Sequence, residues 1–170
     1  MPQYMIGYGS LIDEASRRRT VPHAIDATPI ALAGYRRTWG HRVDAVGYVG
    51  ATTFLTVVPD AAASLNGVVF EMPEDRLEEL DARERGYDRV AIPPTALTVL
   101  SPEDATPSGA IWMYVSDPAD LREPDAEFPI IQSYVDVCMS GCFDIERAEP
   151  PACAGYARDF VSTTQGWSAA

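Results

Sequence analysis

Apolar and polar residues alternate in short runs through the first two-thirds of the chain, then give way to longer helical spacing. Met1–Tyr8 reads as a first strand running into Gly7-Tyr8-Gly9-Ser10. Ala27–Leu32, Tyr35–Trp39, Gly47–Val58 and Asn66–Met72 alternate as strands, punctuated by Gly34, Gly40, Gly50 and Pro59. Pro73–Glu84 carries acids in its first turn and Gly86 just beyond its end, which predicts a helix with start and stop signals. Strands resume at Tyr87–Ile92, Ala96–Leu100 and Ala110–Val115, and the Pro- and acid-rich Ser116–Phe128 predicts a surface loop. Ile130–Gly141 is a helix with Ile131, Tyr134, Val135, Cys138 and Cys142 on one side, and Ala154–Thr163 a second late helix.

Many strands followed by clustered helices, without regular β-α alternation, give an α+β fold. So many short strands leave exposed edges unless the sheet closes, so the expected architecture is a small mixed β-barrel, closed or nearly closed, flanked by helices. No repeat or linker splits the 170 residues, a length that buries enough surface for one core. Residues 1–145 are expected to form the main domain, with 146–170 a helix and tail packed on it.

Composition narrows the chemistry. All 13 basic side chains are Arg, so lysine Schiff bases, a P-loop lysine and a Ser–Lys dyad are excluded. A net charge of −12 argues against a nucleic-acid partner. No stretch approaches a bilayer span and the amino terminus lacks a signal-peptide pattern, so neither membrane nor export is expected. Three cysteines, an odd number, suit a reducing compartment, and the expected location is the cytoplasm. The charge is uneven: residues 1–60 hold six Arg and five acids, residues 61–170 seven Arg and twenty acids. Acidic helix faces in water explain this, and so does a need for the first part to receive an anion.

One carboxylate stands out. On the helix ending at Glu84, Leu77 and Leu80 define the apolar side and Glu84 projects between them, whereas Glu78 and Glu79 project away. Partial burial and the negative end of a helix both disfavour a charged carboxylate there, which suits a group that takes a proton and gives it back. The competing reading is a frayed helix end, with Glu84 in water or paired with Arg89. The loop Tyr8-Gly9-Ser10-Leu11 is the second candidate: its glycines let the backbone turn and present N–H groups to an anion. It is not a dinucleotide loop, and Ser10 is not in a nucleophile elbow.

Other features read as structural. His23 and His41 have no ligand spacing, Cys138 and Cys142 read as core packing, and no metal site is expected. Arg17-Arg18-Arg19 reads as a solvated run, or as an anion-steering patch. Tyr87, Tyr114 and Tyr134 read as amphipathic core residues, any of which can turn a hydroxyl into a pocket. The Gly166-Trp167-Ser168 tail has no reading.

Taken together, Tyr8-Gly9-Ser10-Leu11 after the first strand, Leu65–Glu71, and Arg83-Glu84-Arg85-Gly86-Tyr87 resemble the γ-glutamylcyclotransferase superfamily, whose relatives include ChaC-like enzymes. The likeness spans roughly residues 3–145. It implies a cofactor-free, amide-cleaving transferase or lyase that releases 5-oxoproline from a γ-glutamyl amino acid, a γ-glutamyl amine or glutathione. Glu84 is then the catalytic acid and base, and Tyr8, Gly9, Ser10, Leu11, Tyr87 and Tyr134 are the substrate-binding candidates. The alternative is a non-catalytic protein of the same fold that binds a small molecule.

Overall fold

The structure is a computed structural model that describes residues 1–22, 24, 26–44, 50–84 and 86–167. His23, Arg85, Ser168 and residues 47–49 of the strand expected from Gly47 lie outside the described residues, as does the Glu79 side chain.

Among the described residues seven strands form one sheet: β1 (Gln3–Gly7), β2 (Thr28–Val43), β3 (Thr52–Met72), β4 (Asp88–Ala91), β5 (Leu97–Val99), β6 (Ala110–Val115) and β7 (Thr164–Gln165). Their order is β4-β6-β1-β3-β2-β5, with β7 also on β2. β1 pairs in parallel with β6, and β2 with β7; the other pairings are antiparallel. The sheet is mixed and curled, but β4 and β5 remain ends of the path, so the barrel expected from the strand count is not strictly closed.

The sheet is apolar on both faces. Cross-strand partners Met5 and Phe70 pack beneath the helices, while their neighbours Ile6 and Val69 face the other side. That second cluster comes from strands and their flanks alone, including Ile30, Leu32, Val57, Ile111 and Met113. Among the described residues no α-helix contributes to it, and the sheet buries this face by curling over on itself. The first cluster is covered by α2 (Leu77–Arg83), α3 (Gln132–Ala148) and α4 (Tyr156–Thr163), through Leu77 and Leu80, Cys138 and Cys142, and Tyr156, Ala157 and Phe160.

Three expected strand breaks are absent, at Gly34, Gly40 and Pro59; at Gly40 the pairing of β2 with β3 only shifts register between Trp39 and His41. β2 runs unbroken through Gly34, which adopts φ +86° opposite residues 60–63 of β3, so this glycine makes a bulge instead of a stop. Pro59 is exposed within β3, where a missing N–H is tolerated. The 154–163 helix begins later, at Tyr156, and the 130–141 helix runs on to Ala148.

A further helix, α1 (Glu14–Thr20), occupies the Arg17-Arg18-Arg19 run and is N-capped by Asp13, whose Oδ1 accepts the Ser16 N–H at 2.7 Å. Arg18 is exposed beside Glu14. Arg17 corrects the solvated reading: it is 3% exposed and donates to the carbonyls of Leu11, Ile12 and Ala24 at 3.0–3.2 Å. It ties the segment after the glycine loop to the start of the path into β2. No helix among the described residues is long and apolar enough to cross a membrane.

Candidate active site

β1 ends at Gly7, and the chain turns through Tyr8 and Gly9 into a single 3-10 turn, Ser10–Ile12. The turn is closed by the Ile12 N–H to the Gly9 carbonyl at 3.0 Å and the Asp13 N–H to the Ser10 carbonyl at 3.2 Å. Across from it, Leu77 and Leu80 anchor α2 in the core, and the helix stops at Arg83. Glu84 is the capping residue, its N–H still bonded to the Leu80 carbonyl at 2.9 Å, and it is half-buried.

These two elements share a cavity of about 80 Å³, lined by Ile6 to Leu11, Leu55, Glu84, Tyr87, Tyr114 and Tyr134. Among the described lining residues, Glu84 is the carboxylate and none is basic. Arg89, one alternative for Glu84 in the competing reading of a frayed helix end, holds Asp81 through two bonds of 2.8 and 3.0 Å. Tyr8, Gly9, Ser10, Leu11, Tyr87 and Tyr134 are brought together here. Ile6, Leu55 and Tyr114 complete the wall, and for Leu55 the only sequence signal was strand alternation.

Four tyrosines set the electrostatics. Burial raises the Tyr8, Tyr87 and Tyr114 hydroxyls above the ordinary tyrosine value, and the Glu84 charge pushes each further the same way. Burial raises Tyr134 as well. All four therefore keep their protons at neutral pH, so the cavity presents neutral hydroxyls around one carboxylate.

Each hydroxyl is also placed. Tyr87 donates to the Leu55 carbonyl at 3.1 Å, with its ring stacked 3.8 Å from His41. Tyr114 donates to Asp81 Oδ1 at 2.7 Å. Tyr134 lies edge-on to Trp39 and Phe54, and a Cβ on Gly9 would come within 2.8 Å of its hydroxyl oxygen. The polar groups of Ser10 offset part of the effect of burial on that hydroxyl, which sits beside the turn.

The Tyr114–Asp81 bond gives a stability prediction. Burial opposes ionisation of Asp81, but hydrogen bonds from Tyr114 and Arg89 outweigh it and hold the carboxyl below its ordinary value. A depressed carboxyl stabilises the fold above its unfolded pKa, and this is lost as pH falls through the folded pKa. Tyr114→Phe is expected to lower stability by about 1 kcal/mol at neutral pH, the exposure of Asp81 limiting the effect, and the deficit shrinks in acid. Chemical denaturation of both proteins at pH 7 and pH 2 checks this.

A curled mixed sheet with a small cavity at the exit of its first strand, one carboxylate and a glycine turn define a small-molecule site of a known architecture. The family model for gamma-glutamyl cyclotransferase, AIG2-like, matches residues 5–133, and the chain belongs to that family.

Solved structures share the fold. A gamma-glutamyl cyclotransferase superposes with a TM-score of 0.71 at 14% identity, covering 100% of this chain and 93% of the other. The Homo sapiens protein loc79017 gives 0.66 at 14% identity, over 98% and 91%. A gamma-glutamyl cyclotransferase specific to glutathione from yeast gives 0.55 at 15% identity, over 96% and 97%. Compared by sequence with curated proteins, the chain matches none.

Proposed function

We propose that this protein is a γ-glutamyl cyclotransferase that releases 5-oxoproline from a γ-glutamyl amino acid, a γ-glutamyl amine or glutathione, with Glu84 as the acid and base. The observation that carries this reading is that Glu84 and the backbone of Gly9-Ser10 line one cavity.

The chemistry asks little beyond what the cavity holds. The substrate's own α-amine attacks its γ-carbonyl, and well-oriented intramolecular reactions reach effective molarities of about 10⁵ M or more. Glu84 takes one proton from the α-ammonium, and the freed amine bonds to the γ-carbon as the carbonyl electrons move to oxygen. Glu84 returns that proton to the amide nitrogen, and the carbon–nitrogen bond breaks as the carbonyl re-forms. The ring nitrogen then gives its surplus proton to Glu84, which passes it to the released amine. Two protons have moved between nitrogens, Glu84 is ionised again, and no other reactant is consumed. This sequence requires no cofactor. Backbone N–H groups of Gly9, Ser10 and Leu11 hold the α-carboxylate or the developing oxyanion, with Tyr8, Tyr87 and Tyr134 enclosing the glutamyl group. Three free thiols support a reducing, cytoplasmic setting.

Incubation with a panel of γ-glutamyl compounds tests the activity: 5-oxoproline and the free amine are expected in equal amounts. Thermal stabilisation by these compounds with no product at any pH would make the protein a binder.

A further inference from the structure

Arg37 is the largest fully buried side chain, at 0% exposure, and the proposed mechanism does not use it. It lies on β2, and its guanidinium meets oxygen acceptors on every side. Nε donates to the Thr164 hydroxyl at 2.7 Å. One terminal nitrogen donates to the carbonyls of Tyr8 and Asn66 at 3.1 and 2.7 Å. The other donates to Asn66 Oδ1, the Phe160 carbonyl and the Thr163 hydroxyl at 2.8–3.1 Å. The Phe160 ring stacks 3.9 Å from it.

None of these partners is a carboxylate. In a chain of net charge −12, the most deeply buried cation forms no ion pair among the described residues. Burial lowers its pKa to about 10, so it stays charged at neutral pH. A buried charge without a counter-ion is strongly disfavoured, and satisfied hydrogen bonds offset only part of that. An anion from outside the chain would supply the rest.

The one site element that Arg37 touches is the Tyr8 carbonyl, which shares a peptide unit with the Gly9 N–H. A cation donating to that carbonyl draws electron density from the unit and strengthens its N–H toward an anion. The Tyr8 hydroxyl lies in the fields of both charges, raised by Glu84 and lowered by Arg37. The cavity thus has a carboxylate on its wall and a cation behind its glycine turn.

Building on the cyclotransferase reading, we propose that Arg37 is a positioning residue. Acting through the Tyr8–Gly9 peptide, it compensates the substrate's α-carboxylate, so Glu84 and Arg37 together orient a zwitterionic α-amino acid head. The ammonium is directed to Glu84 and the carboxylate to the turn, and γ-linked amides lacking a free α-carboxylate are disfavoured. The anion that the turn serves is on this account the carboxylate rather than the oxyanion.

Binding of 5-oxoproline is compared with binding of its carboxamide, which has no negative charge, in the wild type, Arg37→Gln, Arg37→Lys and Asn66→Asp. Circular dichroism reports folding in parallel. The wild type is expected to prefer the carboxylate by tenfold or more, and Arg37→Gln to lose most of that preference. Arg37→Lys keeps the charge without the planar fork, so it should retain the preference while losing stability. Asn66→Asp places a negative charge where Oδ1 now lies 2.8 Å from the guanidinium, removes no Arg37 donor, and should also erase the preference. If Arg37→Gln does not fold, Asn66→Asp decides. A purely structural Arg37 would weaken both ligands equally, and an unchanged preference in a folded Arg37→Gln or Asn66→Asp overturns the proposal. A wild type that binds neither ligand and forms no 5-oxoproline overturns the cyclotransferase reading itself.

Discussion

Glu84→Gln is expected to lower kcat by about 10²–10⁴-fold, the range that general acid–base groups contribute, with a much smaller change in KM. Glutamine keeps the length and polarity of the side chain but cannot carry a proton between two nitrogens. The backbone role of residue 84 survives, since its N–H remains available to the Leu80 carbonyl at 2.9 Å. The melting temperature should therefore move little, which separates lost chemistry from lost structure. Glu84→Asp keeps the carboxylate but draws it back by one methylene, and should fall between glutamine and the wild type. Steady-state kinetics on any γ-glutamyl compound turned over by the wild type reads all three proteins. A Glu84→Gln enzyme at wild-type rate would remove this carboxylate from the mechanism.

Gly141→Ala is expected to have the largest effect on stability. This glycine lies in α3, where the helix crosses the turn that follows β1. A Cβ there would come within 2.5 Å of the Asp13 nitrogen and 2.7 Å of the Asp13 Cα and the Ile12 carbonyl carbon. All three are backbone atoms, with no flexible side-chain end to yield, so the helix and turn must separate. Overpacking of this kind costs about 1–3 kcal/mol, which for a chain of this size lowers Tm by roughly 2–12 °C. The displaced segment includes Ser10 and Leu11, so KM should rise as well. Ser140→Ala, one residue away and exposed, should stay within about 0.5 kcal/mol of the wild type. Scanning calorimetry of the three proteins checks the pair.

The site was legible in the sequence where a local pattern and a burial requirement coincide. Leu77 and Leu80 had to face the core for their helix to be stable, and that fixed the side on which the chain leaves it, toward Glu84. The same logic failed at Gly34 and Pro59, because a glycine at a bulge and a proline on an exposed stretch of strand leave a long strand intact. Charge was the poorest guide. Arg17 read as part of a solvated run and Arg37 drew no reading, yet both are deeply buried; Arg17 bonds carbonyls within seven residues and Arg37 one far along the chain. Strand parity held a clue for Arg37, since it shares a face of β2 with Trp39. Parity cannot reveal its partners, because Thr163 and Thr164 lie more than 120 residues away. The pairing of β7 with β2 was hidden for the same reason: two residues carry no periodicity. Counting strands gave a barrel closed or nearly closed, and the observed order leaves β4 and β5 as ends of a curled sheet.

The central claim is that the new bond forms within the substrate, from its own amine. It is tested most directly by giving the wild-type protein a γ-glutamyl amine and its Nα-acetylated counterpart in ¹⁸O-labelled water. The account predicts unlabelled 5-oxoproline from the first and no product from the second. Labelled glutamate from the first, or cleavage of the acetylated compound at a similar rate, would mean that water is the nucleophile and would contradict it.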